Sequence, residues 1–110
     1  MVKQFNIEHE PVLSELAKKL KAYYGQRLVD LVLFGSRARG EAEHGSDYDV
    51  MVVLNGNVDR RIERQATREI ILILCRKYDV VIMCHFISPD RYRQERSPFM
   101  MNVRREGVLV

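Results

Sequence analysis

The sequence predicts an α/β fold, a small mixed β-sheet with helices packed on it. Two observations carry that expectation. Segments with apolar residues at helical spacing alternate with short runs rich in β-branched residues. The order along the chain is helix, strand, strand, helix, strand, helix, which suits a layer of helices over a sheet. At 110 residues the chain is expected to be one domain with enough length for a core, since domains run to roughly 100–200 residues. With 46% hydrophobic and 30% charged residues, wholesale disorder is excluded.

The first helix is expected over Pro11–Tyr24, where Leu13, Leu16, Leu20 and Tyr23 recur at helical spacing. Pro11 suits a first helical turn and Gly25 is placed to end it. Leu28–Phe34 is β-rich and breaks at Gly35-Ser36, a first strand. The polar stretch 37–46, with Gly40 and Gly45, is expected to be loop or a short helix. Asp47–Leu54 is the second strand, closed by Asn55-Gly56-Asn57. A long helix follows over Asp59–Lys77, with Ile62, Ala66, Ile70, Ile73 and Leu74 expected to face inward. Asp79–Ile87 is the third strand, stopped by Pro89, and Pro98–Glu106 is a last short helix ended by Gly107.

Other features narrow the function classes. The longest apolar run, Ile70–Cys75, is far short of the about 18 residues of a membrane span, so no membrane role is expected. The N-terminal residues lack an apolar signal core, which favours an intracellular, cytoplasmic protein. A formal charge of +3 suits an anionic ligand without choosing between nucleotide and nucleic acid. Cys75 and Cys84 lie on apolar runs with no metal-ligand spacing and read as buried free thiols.

Chemistry concentrates at three places. Successive strand side chains alternate faces, so Asp47 and Asp49 share one face, about 7 Å apart along the strand. Val50, Val52 and Leu54 then point to a helix-packed layer. Two like charges repel there unless a divalent cation neutralises them, and hard oxygen ligands select magnesium or manganese. The plain alternative is a pair of solvated loop carboxylates. Gly35-Ser36, directly after a strand, lets backbone N–H groups and a hydroxyl approach a phosphate, or is simply a turn. Arg37 and Arg39 follow and can neutralise outer phosphates, or remain solvated. Asp79 supplies a third carboxylate if its strand lies beside the second, where it could bind the cation and accept a hydroxyl proton.

Taken together, Leu-Phe-Gly-Ser-Arg-Ala-Arg-Gly (33–40), Gly-Ser-Asp-Tyr-Asp-Val-Met-Val (45–52) and Tyr-Asp-Val-Val (78–81) resemble the minimal nucleotidyltransferase family. That family belongs to the DNA polymerase beta-like nucleotidyltransferase superfamily. The C-terminal stretch from Ser97-Pro98-Phe99 to Arg104-Arg105-Glu106-Gly107-Val108 is also similar. The resemblance implies a nucleotidyltransferase fold in which Gly35, Ser36, Arg37, Arg39 and Ser46 hold the nucleotide. It further implies that Asp47, Asp49 and Asp79 are the catalytic, metal-binding carboxylates, with two Mg2+ ions and ATP as substrate. Small members are antitoxins of HEPN/MNT toxin–antitoxin pairs, some of which transfer AMP to a tyrosine of a HEPN-domain ribonuclease toxin. The implied alternative is an antitoxin that only docks on its toxin.

Outside these motifs the reading is plainer. The row Arg60, Arg64 and Arg68, interspersed with Glu63 and Glu69, reads as a solvated face rather than a nucleic-acid surface. Arg91, Tyr92, Arg93 and Arg96 form a second basic patch. His44 is read as an exposed loop histidine and His85 as a partly buried strand residue. Met100-Met101 is taken as core or interface filler.

Overall fold

The computed structural model describes residues 3–4, 10–40 and 47–110. Its elements are β1 (Lys3–Gln4), α1 (Pro11–Tyr24), β2 (Leu28–Phe34), β3 (Tyr48–Leu54), α2 (Arg60–Tyr78), β4 (Ile82–Ile87), α3 (Pro89–Gln94), α4 (Pro98–Glu106) and β5 (Val108–Leu109). They build a five-stranded mixed sheet in the order β1-β5-β2-β3-β4. β2 and β3 are antiparallel, whereas β3 and β4 are parallel and joined by the crossover helix α2. The α/β expectation and the first helix and strand are borne out.

Local chemistry explains the helix ends. Glu10 caps α1 by accepting from the Val12 N–H at 3.0 Å, Pro11 opens the first turn, and Gly25 ends it at φ 57°. Asp59 caps α2 by accepting the Arg61 and Ile62 N–H groups. Ser88 and Ser97 each precede a proline and cap α3 and α4. The sequence expectation did not include α3, nor the two-residue strands β1 and β5, which are too short for a pattern.

Strand alternation divides the core in two. Leu31, Leu33, Tyr48, Val50, Val52 and Leu54 face α1 and α2, while Val32, Phe34, Met51, Val53 and Ile87 face Met100 and Val103 of α4. Val50, Val52 and Leu54 therefore point into a helix-packed layer, as expected. Cys75 and Cys84 are free thiols, and burial raises the Cys84 pKa, so that thiol stays protonated. No helix among the described residues is long and apolar enough to cross a membrane.

Two expectations are corrected. Of the residues expected inward on α2, Leu74 is buried and Ile70 packs against the core, but Ile62, Ala66 and Ile73 do not. Ile62 is 61% exposed and Ile73 49%, Ala66 is exposed, and the buried positions are Glu63, Thr67 and Leu74. The helix is rotated because Glu63 has partners below it. Its carboxylate accepts from Tyr24 Oη at 2.9 Å and from Arg27 Nη2 at 2.8 Å, while Thr67 Oγ1 donates to the Glu63 carbonyl. Arg27 in turn binds the Asn55 carbonyl, tying the β3–α2 connection to this cluster. Glu63→Ala is expected to lower unfolding stability by about 3 kcal/mol in urea titration, because it strands a partly buried guanidinium and a buried hydroxyl.

The second correction concerns Asp79. It does not open a strand. It is the C-cap of α2 in left-handed conformation (φ 52°, ψ 52°), its N–H bonded to the Cys75 carbonyl, and β4 begins three residues later at Ile82. The run Asp79–Val81 belongs to the turn between helix and strand.

Candidate active site

The Asp-x-Asp segment enters β3 from its exposed end. Tyr48 is buried against α1 and α2, so alternation sends Asp47 and Asp49 to the opposite face. Asp47 is exposed and Asp49 half-buried. Phe34, the last residue of β2, pairs with Asp49, which brings the next residue, Gly35, against the Asp49 side chain. The approach is close enough that a Cβ on Gly35 would overlap Asp49 Oδ2 and lie 3.2 Å from its Cγ. Gly35 also has φ 79°, a conformation that favours glycine. Two independent constraints thus require glycine where the strand turns over the carboxylate.

Burial, and then the charges around it, shift the protonation of Asp49. Burial raises its pKa above the ordinary carboxylate value; His85 pulls the other way, Asp47 and Glu106 raise it further, and Arg39 lowers it. His85 lies on the same face of β4, between the Phe34 and Phe99 rings, each centroid 5.5 Å away. Burial lowers the His85 pKa, Asp49 opposes that, and Arg64 and Arg60 add to it, so the imidazole is neutral near pH 7. The partly buried strand histidine expected from sequence is therefore a neighbour of the carboxylate pair.

Glu106, at the end of α4, was not singled out by sequence reasoning. Its Oε1 accepts the Gly35 N–H at 3.1 Å and its Oε2 pairs with Arg39 Nη1 at 3.0 Å. One carboxylate thus engages an amide and a guanidinium that a phosphate would also use. It lies 71 residues from Gly35 in sequence, so only its place in the similar C-terminal segment could have drawn notice.

The structure brings together Gly35, Arg39, Asp47 and Asp49, with Ser36 next on the turn. The other candidates fall elsewhere. The Arg37 guanidinium stacks over the Tyr48 ring, 3.9 Å from its centroid, on the face covered by α1. Tyr48 Oη donates to Glu10 Oε2 at 3.0 Å, and burial with that bond pushes its pKa up to about 12. Asp79, at the end of α2, is exposed and lies outside the paired strand. Ser46 and His44 lie outside the described residues. The basic patch at 91–96 is largely neutralised, Arg91 pairing with Glu95 and Arg93 with Asp90.

The donor set fits magnesium. Among the described residues no group of three or more His, Cys, Asp or Glu side chains is arranged to hold a metal, so the protein offers the Asp47–Asp49 pair. Mg2+ keeps several waters and is usually held by one or two carboxylates together with substrate phosphates. A half-buried and an exposed carboxylate beside a glycine turn meet that requirement.

Comparison with known proteins gives the family and the fold. Residues 13–99 match the family model described as "Nucleotidyltransferase domain". The chain is 35% identical over 79 residues to "Putative protein adenylyltransferase MJ1305" of Methanocaldococcus jannaschii, covering 71% of this chain and 54% of that protein, about half its length. It is 31% identical over 105 residues to "Putative protein adenylyltransferase MJ0604" of the same organism, covering 94% of this chain and 99% of that protein. Among solved structures, a mutant of the toxin-antitoxin MntA-HpeT superposes with a TM-score of 0.60 at 20% identity, over 97% of this chain and 72% of that one. A toxin-antitoxin with AMP-PNP gives 0.57 at 22% identity, over 84% and 68%. These structures share the fold. With the glycine turn, the carboxylate pair and a family match spanning most of its length, this chain belongs to the nucleotidyltransferase domain family.

Proposed function

We propose that this chain is a magnesium-dependent protein adenylyltransferase that moves AMP from ATP to a tyrosine hydroxyl of a HEPN-domain ribonuclease toxin, acting in the cytoplasm as its antitoxin. The observation that carries the reading is the packing of Gly35 directly onto Asp49, which sets a phosphate-type turn against a carboxylate pair. The protein adenylyltransferase names of its relatives and the toxin–antitoxin and AMP-PNP titles of its structural neighbours support it.

Gly35, Ser36 and Arg39 are assigned to the triphosphate, and Asp47 and Asp49 to magnesium. Bound there with the nucleotide, magnesium would neutralise charge developing on the phosphate oxygens. The chain's own part is placement. The Gly35 and Ser36 backbone fixes the phosphates for in-line attack, Arg39 offsets their charge after leaving Glu106, and Asp47 and Asp49 would hold the cation against them. The acceptor oxygen bonds to the α-phosphorus as the bond to pyrophosphate breaks, and the hydroxyl proton passes to water through the open side at Asp47. Asp79, an exposed cap at the end of α2, is assigned no role in this reading.

The test is transfer of label from α-labelled ATP with magnesium, to the co-expressed partner and to the protein itself. Wild type is expected to label a partner tyrosine. Asp79→Asn, at an exposed turn, should label within about threefold of wild type. No transfer by folded, partner-bound wild type would overturn the reading in favour of an antitoxin that docks without catalysis.

A further inference from the structure

The arginine row and the outer edge of the sheet, which the proposed function leaves unused, come together in one groove. Arg64 and Arg68 of α2 face β4 across a cleft of about 330 Å³ whose floor includes Leu72 and Met83. Arg60 continues the row to a small cavity of about 80 Å³ beside His85 and Phe99. Among the described residues, none of the three arginines is in an ion pair, and all are exposed. Glu95 lines the small cavity beside Arg60 and is held ionised partly by its charge, so among the described residues the less compensated part of the row is Arg64 and Arg68.

β4 is the last strand of the sheet. The Tyr48 N–H donates to the Val81 carbonyl, so alternation turns Val81, Met83 and His85 toward β3 and leaves the N–H and C=O groups of Ile82, Cys84 and Phe86 on the open side. Sheet edges are normally blocked by Lys, Pro, a bulge or a covering segment. Ile-Met-Cys-His-Phe-Ile holds neither Lys nor Pro, its register with β3 is unbroken, and Met83 is 47% exposed. Among the described residues the edge is unblocked, and with Arg64 and Arg68 beside it, it is a template for an acidic strand.

The edge also leads to the site. Met83 is the register partner of Asp49, so a strand added to β4 would run two inter-strand spacings, about 10 Å, from the Asp49 backbone. A tyrosine side chain spans most of that gap and a serine does not. We propose that the open edge of β4 captures an extended, acidic segment of the acceptor protein as an added strand, Arg64 and Arg68 gripping its carboxylates while its tyrosine reaches back toward Asp49. The inference rests on the adenylyltransferase reading for the tyrosine's fate, but not for the docking.

The probe is a synthetic twelve-residue peptide alternating Glu and Val around one central Tyr, studied without nucleotide. Amide hydrogen exchange at Ile82, Cys84 and Phe86 is expected to slow when it binds, with Val108 and Leu109 unchanged. The double variant Arg64→Glu/Arg68→Glu should weaken binding about tenfold, as two lost exposed ion pairs would. A peptide N-methylated at alternate residues, which cannot form the ladder, should not slow exchange. Unchanged exchange at the three amides, or equal affinity in the charge-reversed variant, overturns the proposal. So does displacement of the peptide by a single-stranded oligoadenylate whose affinity depends on the same arginines, which would make the groove a nucleic-acid site. With ATP and magnesium added, a docked peptide that takes no label leaves the edge proposal standing and sinks the adenylyltransferase reading. Equal labelling of the N-methylated peptide does the reverse.

Discussion

Asp49→Asn is expected to abolish adenylyl transfer and, at neutral pH, to raise the melting temperature. The loss of transfer should exceed about a hundredfold, since changes even to the outer partners of metal sites cost about 10–100-fold. The gain in stability follows from burial. Burial is the largest influence on Asp49 and raises its pKa above the ordinary value near 3.8, with Asp47 and Glu106 acting in the same direction. A carboxyl whose folded-state pKa is raised contributes stability that is fully present below the unfolded value and is lost as pH rises through the folded value. At pH 7 the charged Asp49 therefore opposes folding, and the neutral amide removes that opposition. Melting curves should show the variant above wild type at pH 7 and the gap closing below about pH 4. Magnesium with a non-hydrolysable ATP analogue should raise the wild-type midpoint and leave that of the variant unmoved, because only the ionised pair binds the cation. A variant that melts lower than wild type at pH 7, or retains transfer, would refute the assignment.

Gly35→Ala is the second large effect, and it separates geometry from charge. The substitution leaves every ionisable group in place. It puts a Cβ into Asp49 Oδ2 and forces alanine to φ 79°, a left-handed conformation that costs about 1–2 kcal/mol. The side chain that yields is Asp49, so the carboxylate pair is displaced and the turn distorted. A displacement of about 1 Å at a reacting centre costs about a hundredfold in rate. Transfer is expected to fall at least that far, with urea unfolding showing a loss of about 1–3 kcal/mol. Full activity in Gly35→Ala would mean that the nucleotide does not use this turn.

The helices and strands that the sequence predicts well are those whose partners are close in the chain. α1 has its cap, proline, apolar spacing and terminating glycine within sixteen residues, and its bounds coincide with the expectation. β2 and β3 carry dense β-branched runs, and the Gly-Ser break and Asp-x-Asp spacing survive into the site because both sit at paired strand ends. The shared face of Asp47 and Asp49 needed only the two-residue period of a strand.

What periodicity could not supply was orientation relative to distant residues. The apolar stripe of α2 pointed to Ile62 and Ile73 as buried, but Tyr24 and Arg27 offer Glu63 a satisfied buried position, and the whole helix turns to reach it. Asp79 looks like the start of a strand because apolar residues follow it, yet a left-handed cap on α2 removes it from the ladder. Arg37 and Arg39 are indistinguishable as loop arginines until Tyr48 and Glu106 draw them to opposite sides of the turn. Glu106 reaches Gly35 only because β5 pairs with β2 and sets the end of α4 beside the turn. The sequence by itself determined the types of the longer elements, the family and the shared strand face of Asp47 and Asp49, all properties of local pattern. Which side chains complete the site was decided by long-range pairing, in which a buried polar group takes whichever partner satisfies it.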